Sequence, residues 1–236
     1  MSMPPDFDAI VLAGGLGTRL RSVVADRPKP LAPVAGRPFL DHVLAHLAEV
    51  GVQRVVLSIG YLGAQIEARY GDRFQGMSIT YSRESEPLGT GGALKQALSC
   101  CNTPYALALN GDTLLRCDPR GFVARTVASG KRLGILTREV EDAGRYGRCE
   151  LRDGTVVAFG EKTQPGPGLI NAGVYCLHRG ALADHVGPAR FSFERDFVGP
   201  QVLHLRPYAE KVDGYFIDIG VPEDLARAQV ELPPWR

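Results

Sequence analysis

Short continuous apolar runs alternate along the first half of the chain with segments whose apolar residues recur at the spacing of an α-helix. The runs predict strands buried on both faces of a parallel sheet, at residues 9–12, 52–59, 78–82, 105–109 and 133–137. The segments with helical spacing cover residues 39–50, 92–100 and 120–129. This alternation predicts an α/β fold in which an open, doubly wound sheet carries helices on both faces.

The pattern changes after residue 139, where the apolar runs become shorter. Residues 149–152, 156–160 and 170–177 predict strands of a mixed or antiparallel portion, and residues 222–230 predict a closing helix with Pro222 in its first turn. No repeat, low-complexity tract or linker interrupts the chain. We therefore expect one domain over residues 1–236, with a mixed sheet between two layers of helices.

Composition and charge are those of a globular enzyme and argue against several partners. The 236 residues are 44% apolar and 22% charged, and the formal net charge is +1. Such a balance gives no support to binding of nucleic acid or of an anionic membrane. The first residues lack the pattern of a signal peptide, and no apolar run approaches the roughly 20 residues of a membrane span. We expect a cytoplasmic protein.

The cysteines and two histidines are potential metal or redox ligands, but their spacing favours neither role. The five cysteines are odd in number and contain no Cys-x-x-Cys pair, which is typical of free thiols in a reducing cytosol. His42 and His46 have the i, i+4 spacing of zinc ligands, but Val43 stands where a metalloprotease motif needs Glu. We expect these histidines on a surface face of their helix.

A glycine-rich turn follows the first predicted strand. Residues 12–20 read Leu-Ala-Gly-Gly-Leu-Gly-Thr-Arg-Leu, and the three glycines let the backbone turn and direct successive N–H groups outward. A strand, a glycine turn and a helix start together form a cradle for anions. Arg19 and Lys29 add two full positive charges to this cradle. The segment therefore predicts a phosphate site.

The spacing of this turn differs from two common phosphate-binding loops. A dinucleotide-binding Gly-x-Gly-x-x-Gly that began at Gly15 would need glycine where Leu20 stands. A Walker-type loop needs Gly-Lys-Ser/Thr after its last glycine, whereas this chain has Gly17-Thr18-Arg19. Neither mode of phosphate binding is expected here.

Two aspartates each follow an apolar run. Asp112 comes after the predicted strand at 105–109, and Asp218 ends the run before Gly220. Ligands of doubly wound sheets bind beyond the carboxyl ends of the strands, where Asp112 is expected. Each aspartate taken alone would more often be a helix cap or a turn residue.

Two motifs near the N-terminus resemble the signature of the sugar-nucleotide pyrophosphorylases, nucleotidyltransferases that act on sugar 1-phosphates. They are the turn at 12–20 and the segment Pro-Lys-Pro-Leu-Ala-Pro-Val-Ala-Gly-Arg-Pro at 28–38. The resemblance implies the Rossmann-like nucleotide-diphospho-sugar transferase fold, Mg²⁺ on Asp112 and Asp218, and catalytic roles for these two residues with Arg19 and Lys29. It implies nucleotide contacts by Leu12, Ala13, Gly14, Gly15, Gly17, Thr18, Arg19, Lys29 and Asp112.

Later motifs extend the resemblance to a sugar site. Tyr-Gly, Glu-Lys and Asn-Ala-Gly-Val-Tyr follow one another in the order seen in the family. They imply sugar-phosphate contacts by Gly111, Tyr146, Gly147, Glu161, Lys162, Asn171, Gly173 and Glu194. We expect the nucleotide part to cover about residues 7–138 and the sugar-phosphate part about 139–230. The left-handed β-helix that many members carry after this core is not expected.

The segment at 84–92, Glu-Ser-Glu-Pro-Leu-Gly-Thr-Gly-Gly, bears on the choice of base. A carboxylate can accept both the N1–H and the amino group of guanine, so Glu84 or Glu86 favours GTP. We expect Glu84, Gly89 and Thr90 to contact the nucleotide. The sequence of this segment is similar to that of family members that transfer GMP to mannose and heptose 1-phosphates, and it resembles the heptose branch most.

The resemblance thus predicts an enzyme that makes a GDP-heptose for a surface polysaccharide, with a homodimer as a possible assembly. Mannose 1-phosphate with GTP, or N-acetylmuramate 1-phosphate with UTP, are alternatives within the family. A non-catalytic regulatory protein that binds sugar nucleotides is an alternative of another class, although it would not need Asp112, Asp218 and Lys162. A glycosyltransferase would normally show Asp-x-Asp, and residues 110–112 read Asn-Gly-Asp.

Overall fold

The computed structural model describes residues 6–15, 17, 20, 26–160 and 165–232. Within these residues the chain forms a ten-stranded mixed sheet and two short two-stranded ribbons. The ribbons are β2 (Pro33–Val34) with β3 (Arg37–Pro38), and β8 (Thr113–Leu115) with β14 (Phe216–Asp218). The sheet contains β1 (Asp8–Leu12), β4 (Arg54–Ile59), β5 (Arg73–Phe74), β6 (Met77–Arg83), β7 (Tyr105–Asn110), β9 (Leu133–Val140), β10 (Cys149–Arg152), β11 (Thr155–Phe159), β12 (Gly168–His178) and β13 (Tyr208–Lys211).

The strand order across the sheet is β10–β11–β13–β9–β12–β7–β1–β4–β6–β5. Strand β1 lies between β4 and β7 and is parallel to both, with Leu12 opposite Ser58 on one side and Asn110 on the other. The chain winds outward from β1 to β4 and β6 and then returns to place β7 on the opposite side. This reversal leaves a crevice at the carboxyl ends of β1 and β7, where such sheets bind ligands.

The second half of the chain joins the same sheet. Strand β12 runs antiparallel between β7 and β9, β13 is parallel to β9, and the β10–β11 hairpin extends that edge. The change of pattern after residue 139 therefore corresponds to a mixed, mainly antiparallel set of strands added to one sheet. Strand β12 is longer than predicted at both ends, and its pairing with β9 has an irregularity between Asn171 and Tyr175.

Helices cover both faces, which confirms the three-layer α/β/α prediction. Alternate residues of β1 enter two hydrophobic cores, with Val11 in one and Ile10 in the other. Phe122 lies in the first core and Leu94 in the second. The helices are α1 (Phe39–Glu49), α2 (Gly63–Tyr70), α3 (Gly89–Ser99), α4 (Pro119–Ala128), α5 (Gly199–Leu205) and α6 (Pro222–Glu231).

Two helices depart from the sequence prediction. Helix α3 begins at Gly89, three residues before the predicted start at 92, because its glycine-rich first turn packs against Phe191. A side chain at Gly91 would overlap the Phe191 ring, so glycine allows this packing. The same glycines are poor helix formers, which is why the sequence did not predict this first turn. Helix α2 was not predicted, since its apolar side is limited largely to Ile66 and Tyr70.

The prediction that His42 and His46 lie on a surface face of α1 is wrong. Both side chains are buried, His42 beside the β2–β3 ribbon and His46 beside Arg116. The Nε2 atom of His42 lies 3.0 Å from the Val34 carbonyl oxygen. Among the described residues, no group of three or more metal-ligating side chains occurs.

Among the residues described, none of the helices combines the length and apolar character that crossing a membrane requires.

Candidate active site

The crevice beyond β1 and β7 contains a cavity of about 410 Å³. Its wall brings together residues that the sequence places more than two hundred positions apart, from Leu12 to Gly220. Of the predicted nucleotide and metal residues, the wall includes Leu12, Ala13, Gly15, Gly17, Lys29, Thr90, Asp112 and Asp218. The predicted phosphate turn and the two predicted metal ligands therefore share one cavity.

The β8–β14 ribbon brings Asp112 and Asp218 together. Asp218 ends β14 and is paired with Thr113, the first residue of β8 and the residue after Asp112. The Ile219 N–H donates to the Asp112 carbonyl oxygen at 3.0 Å and extends this pairing. The two carboxylates, 106 positions apart in sequence, are therefore fixed side by side by backbone hydrogen bonds.

The Lys29 ammonium lies between these two carboxylates. Its Nζ is 2.5 Å from Asp112 Oδ2 and 3.9 Å from Asp218 Oδ1. A 3₁₀ turn over Lys29–Leu31, preceded by Pro28, holds the lysine, whose side chain is only 9% exposed. The two acids thus face a common position that holds a positive charge.

That position fits a divalent cation by its donor chemistry. Two carboxylates are a usual protein contribution to a Mg²⁺ site, with phosphate and water oxygens completing the shell. Asp112 and Asp218 are the residues that would hold the ion.

The glycine turn is shaped by close contacts on both sides. Gly17 has φ of +58°, and a side chain there would lie 3.1 Å from Lys29 Cβ. A side chain at Gly14 would overlap the Glu84 carboxylate and approach the Gly60 nitrogen to 3.0 Å. Glycine is required at both positions to bring the backbone beside Lys29 and Glu84. Thr18 and Arg19 lie outside the described residues.

Glu84 lies behind the turn rather than in the cavity wall formed by the described residues. Its Oε2 accepts a hydrogen bond from the Leu88 N–H at 2.9 Å. Burial raises the pKa of the Glu84 carboxyl, and the Leu88 hydrogen bond opposes that rise. The residue orders the loop that leads into α3, and its predicted contact with guanine stays a prediction.

The N-terminus of α3 is hydrogen-bonded to the segment at 191–194. Phe191 N donates to Leu88 O at 3.0 Å, Gly91 N donates to Phe191 O at 2.9 Å, and Phe193 N donates to Thr90 Oγ1 at 3.0 Å. Gly89, with φ of +68°, allows this approach because a side chain would meet the Phe191 carbonyl. Thr90 lines the first cavity, but its hydroxyl already accepts this bond.

A second cavity of about 370 Å³ adjoins the first. The walls of both cavities include Asn110, Glu194 and Asp218, so Asp218 stands at their junction. Of the predicted sugar-site residues, the second wall contains Tyr146, Gly147, Asn171, Gly173 and Glu194. Glu161 and Lys162 lie outside the described residues.

Gly111 has a backbone role beside the cavities. Its N–H donates to the Leu12 carbonyl oxygen at 2.8 Å, and a side chain there would lie 2.7 Å from that oxygen. The glycine lets β7 pass close to the end of β1 and carries the chain to Asp112. Its predicted contact with substrate stays a prediction.

Glu194 is held by a small polar network. One of its carboxylate oxygens accepts from the Tyr175 hydroxyl at 2.7 Å and from the Asn171 amide at 2.8 Å. Burial first, and the nearby Glu194 charge second, raise the pKa of Tyr175 well above its usual value. The phenol therefore stays protonated and keeps donating. Gly173, with φ of +73°, bends β12 so that Asn171 and Tyr175 both reach Glu194.

Several wall residues were missed in the sequence analysis. Asn110 lines both cavities, Tyr175 lines the first, and Arg145 and Phe216 line the second. Asn110, Arg145 and Tyr175 each stand within or beside a motif that was recognised, so adjacency was the available signal. Phe216 packs edge-on against Tyr146, with ring centroids 5.9 Å apart, and helps fix that ring in the wall.

Comparison with known proteins bears directly on this geometry. A family model described as nucleotidyl transferase matches residues 8–233, nearly the whole chain. The chain belongs to the nucleotidyl transferase family. Members generally use a divalent metal ion, which agrees with the pair of carboxylates at the cavity junction.

Characterised relatives in this family resemble the chain over most of its length. It is 42% identical over 226 residues to the D-glycero-alpha-D-manno-heptose 1-phosphate guanylyltransferase of Aneurinibacillus thermoaerophilus, covering 96% of this chain and 98% of that protein. It is 36% identical over 233 residues to the mannose-1-phosphate guanylyltransferase of Mycobacterium tuberculosis, covering 95% of this chain but 64% of that protein. Both relatives are guanylyltransferases, a class of nucleotidyltransferase enzymes.

Solved structures of the family share the fold. The crystal structure of HddC from Yersinia pseudotuberculosis complexed with GMP-PN superposes with a TM-score of 0.83 at 37% identity, covering 94% of this chain and 98% of that chain. A putative glucose-1-phosphate thymidylyltransferase from Bacillus anthracis, at 20% identity and a TM-score of 0.83, shares the fold alone. The predicted fold class and family are therefore confirmed.

Proposed function

We propose that this protein transfers GMP from GTP to D-glycero-α-D-manno-heptose 1-phosphate and releases pyrophosphate. The observation that carries the proposal is the meeting of Lys29, Asp112 and Asp218 at the junction of two adjoining cavities. Two polyanionic substrates that react with each other need a site with two compartments and a charged junction. The product would be a GDP-activated heptose for surface polysaccharide synthesis in the cytoplasm.

The chemistry is an in-line displacement at phosphorus. An oxygen of the sugar 1-phosphate attacks the α-phosphorus of GTP, a new phosphorus–oxygen bond forms, and the bond to the β-phosphate oxygen breaks. The nucleophile is already an anion, so no side chain has to remove a proton. The protein's task is to align the two phosphates and to reduce their repulsion.

The first cavity provides the nucleotide side in this proposal. The backbone of Leu12, Ala13, Gly14, Gly15 and Gly17 would border the phosphates, and Lys29 would bind the departing pyrophosphate. Arg19 and Thr18 remain predicted phosphate contacts on the strength of the sequence motif. The carboxylate of Glu84 would read the N1–H and amino group of guanine.

Asp112 and Asp218 are the residues that would hold Mg²⁺. A bound ion supplies charge neutralisation where the two substrates' phosphate oxygens come together. Lys29 offsets one of the two negative charges of these carboxylates. When Mg²⁺ and the triphosphate bind, the Lys29 ammonium would be placed to contact the triphosphate instead.

The second cavity provides the sugar side. Glu194, oriented by Tyr175 and Asn171, would accept from sugar hydroxyls, and Tyr146 with Gly147 would form the opposite wall. Glu161 and Lys162 remain predicted contacts to hydroxyls and phosphate. In this division about residues 7–138 serve the nucleotide and about 139–230 serve the sugar phosphate, with Asp218 crossing to the junction.

A second candidate substrate is mannose 1-phosphate. The relative that acts on it is 36% identical to this chain, whereas the heptose relative is 42% identical and matches end to end. The difference favours heptose. A purely regulatory sugar-nucleotide-binding protein is disfavoured, because Lys29, Asp112 and Asp218 form a complete charged junction.

A pyrophosphate-release assay tests the proposal. The protein is incubated with Mg²⁺, each of GTP, UTP, dTTP, CTP and ATP, and a panel of hexose and heptose 1-phosphates. We expect the highest kcat/KM for GTP with the heptose 1-phosphate. Absence of release with GTP and every sugar 1-phosphate would remove the proposal, and a preference for mannose 1-phosphate would replace the acceptor. Light scattering with size-exclusion chromatography reports whether the protein is the homodimer we propose.

A further inference from the structure

Arg145 gives the sugar-side cavity a positive charge. Among the described residues in that wall it is the one lysine or arginine, and it shares the wall with two carboxylates, Glu194 and Asp218. Two acids alone would repel a sugar phosphate, which carries up to two negative charges. A fixed cation in the same wall changes that balance.

The guanidinium of Arg145 is anchored on its far side. Its Nη2 donates to the Asp224 carboxylate and, at 3.0 Å, to the Tyr146 hydroxyl. Asp224 is buried in the first turn of α6, and the guanidinium carbon lies 5.4 Å from the centre of the Tyr146 ring. These contacts hold the plane of the group in one orientation without using all its donors.

The remaining donors of Arg145 are directed to no described acceptor. Both of its hydrogen bonds within the described residues leave from Nη2, so Nη1 and Nε are available. The side chain is 41% exposed, although its anchor Asp224 is buried. A planar guanidinium with donors to spare is the side chain best suited to a phosphate, which it can bind with two parallel hydrogen bonds.

We propose that Arg145 binds the phosphate group of the sugar 1-phosphate, and that Asp224 and Tyr146 are positioning residues for it. This inference rests on the proposed function, because it assigns one more substrate contact to the same reaction. It gives the acceptor phosphate a second cation on the sugar side, besides the predicted Lys162, while Lys29 belongs to the nucleotide side. The acceptor would then be aligned before it attacks.

Arg145 has a structural counterpart that does not face the cavity. Arg227, on α6, also pairs with Asp224, with its Nη1 at 2.9 Å from Asp224 Oδ1, and it is absent from the walls formed by the described residues. If Arg145 only ties its loop to α6, removing either arginine should have similar consequences. If Arg145 binds phosphate, the two variants should differ in kinetics and agree in stability.

The experiment compares Arg145→Gln with Arg227→Gln, measuring kcat, both KM values and the melting temperature. We expect Arg145→Gln to raise the KM for the sugar 1-phosphate by about 10- to 100-fold and to leave the KM for GTP within about twofold. Arg227→Gln should leave both KM values unchanged. Arg145→Lys keeps the positive charge but cannot form two parallel hydrogen bonds to a phosphate. Its KM for the sugar 1-phosphate should lie between those of wild type and Arg145→Gln.

A comparison of two acceptors identifies the group that Arg145 contacts. A phosphate contact predicts that Arg145→Gln weakens heptose 1-phosphate and mannose 1-phosphate by the same factor. Unequal factors would indicate a contact to sugar hydroxyls and would overturn the assignment to phosphate. Equal kinetic effects of Arg145→Gln and Arg227→Gln, or an effect on GTP alone, would overturn it as well.

The two proposals fail in distinguishable ways. A wild-type protein without activity on any sugar 1-phosphate overturns the proposed function and this inference with it. An active wild type with an unaffected Arg145→Gln variant overturns this inference alone. Should Arg145→Gln not fold, the KM for the acceptor in Arg145→Lys decides, because a KM equal to that of wild type would contradict a bidentate contact.

Discussion

Lys29 Nζ lies 2.5 Å from Asp112 Oδ2, in the position between two carboxylates where a divalent cation would bind. The contact joins residues 83 positions apart, and the lysine side chain is almost completely enclosed. The positive charge of Lys29 at this position reduces the repulsion between Asp112 and Asp218. The position of the Lys29 ammonium would therefore depend on whether a metal ion and a triphosphate are bound.

We predict that Lys29→Gln lowers turnover but strengthens metal binding. Turnover should fall by about 10²–10³-fold, because the variant lacks the positive charge that would stabilise the leaving pyrophosphate. Mn²⁺ binding measured without nucleotide, by electron paramagnetic resonance of the free ion, should become tighter because no ammonium competes for the carboxylates. Lys95→Gln, an identical change on the exposed side of α3, is the matched control. Unchanged Mn²⁺ affinity would show that Lys29 does not occupy the metal position.

We predict that Asp112→Asn and Asp218→Asn each lower kcat at saturating Mg²⁺ by about 10²–10³. Each change removes one of the two carboxylates proposed to hold the ion but leaves the backbone pairing of β8 with β14 in place, so the melting temperature should change little. Asp153→Asn, in an exposed turn, controls for the substitution itself. Near-normal turnover in either active-site variant would count against a metal site at the cavity junction.

The sequence predicted the longer strands of the first half and the helices α1, α3, α4 and α6, and its motifs contain many of the residues that line the two cavities. Long apolar runs such as the one at 105–109 predict buried strands almost to the residue, because burial on both faces leaves a local signal. Lys29 and Asp112 were predicted because their motifs assign them a role, whereas Asn110 and Tyr175 lie in recognised motifs but were missed. Resemblance, rather than periodicity, predicted that Asp112 and Asp218 act together.

What the sequence could not provide comes from pairings between distant segments. Strands β8 and β14 have three residues each, too short for a pattern, yet their pairing is what aligns the two aspartates. The Arg145 to Asp224 ion pair spans 79 positions and leaves no trace in either local sequence. Burial of His42 depends on a ribbon that covers α1 from outside, which the helix's own periodicity does not report.

Thr90 provides a test of coupling between the two cavities. Its hydroxyl accepts from Phe193 N, next to Glu194, so we predict that Thr90→Val displaces Glu194 and raises the KM for the sugar 1-phosphate. Loss of the hydrogen bond should cost about 1 kcal/mol of stability, and Thr90→Ser should restore both properties. Steady-state kinetics with each substrate varied in turn provide the measurement. A rise in the KM for GTP alone would show that Thr90 is simply a nucleotide contact.

Buried histidines in α1 make stability depend on pH. Burial lowers the pKa of both His42 and His46, and the neighbouring Arg37 and Arg116 lower the pKa values of His42 and His46, respectively. Glu49 opposes the effect at His46, and the Val34 carbonyl opposes it at His42. In the unfolded chain both rings have the ordinary pKa of about 6.5 and take up protons more readily.

The direction of the pH dependence of stability follows from this difference in histidine pKa between the folded and the unfolded chain. The stabilisation from keeping both rings neutral is present above about pH 6.5 and is lost as the pH falls through the range below it, by up to about 1.4 kcal/mol for each unit of pKa lowering. We predict a lower urea midpoint at pH 5.5 than at pH 7.5. His46→Gln should reduce this difference, and His204→Gln, at an exposed position of α5, should not. An equal pH dependence in wild type and His46→Gln would mean that His46 contributes nothing to it and that other groups set the acid limit.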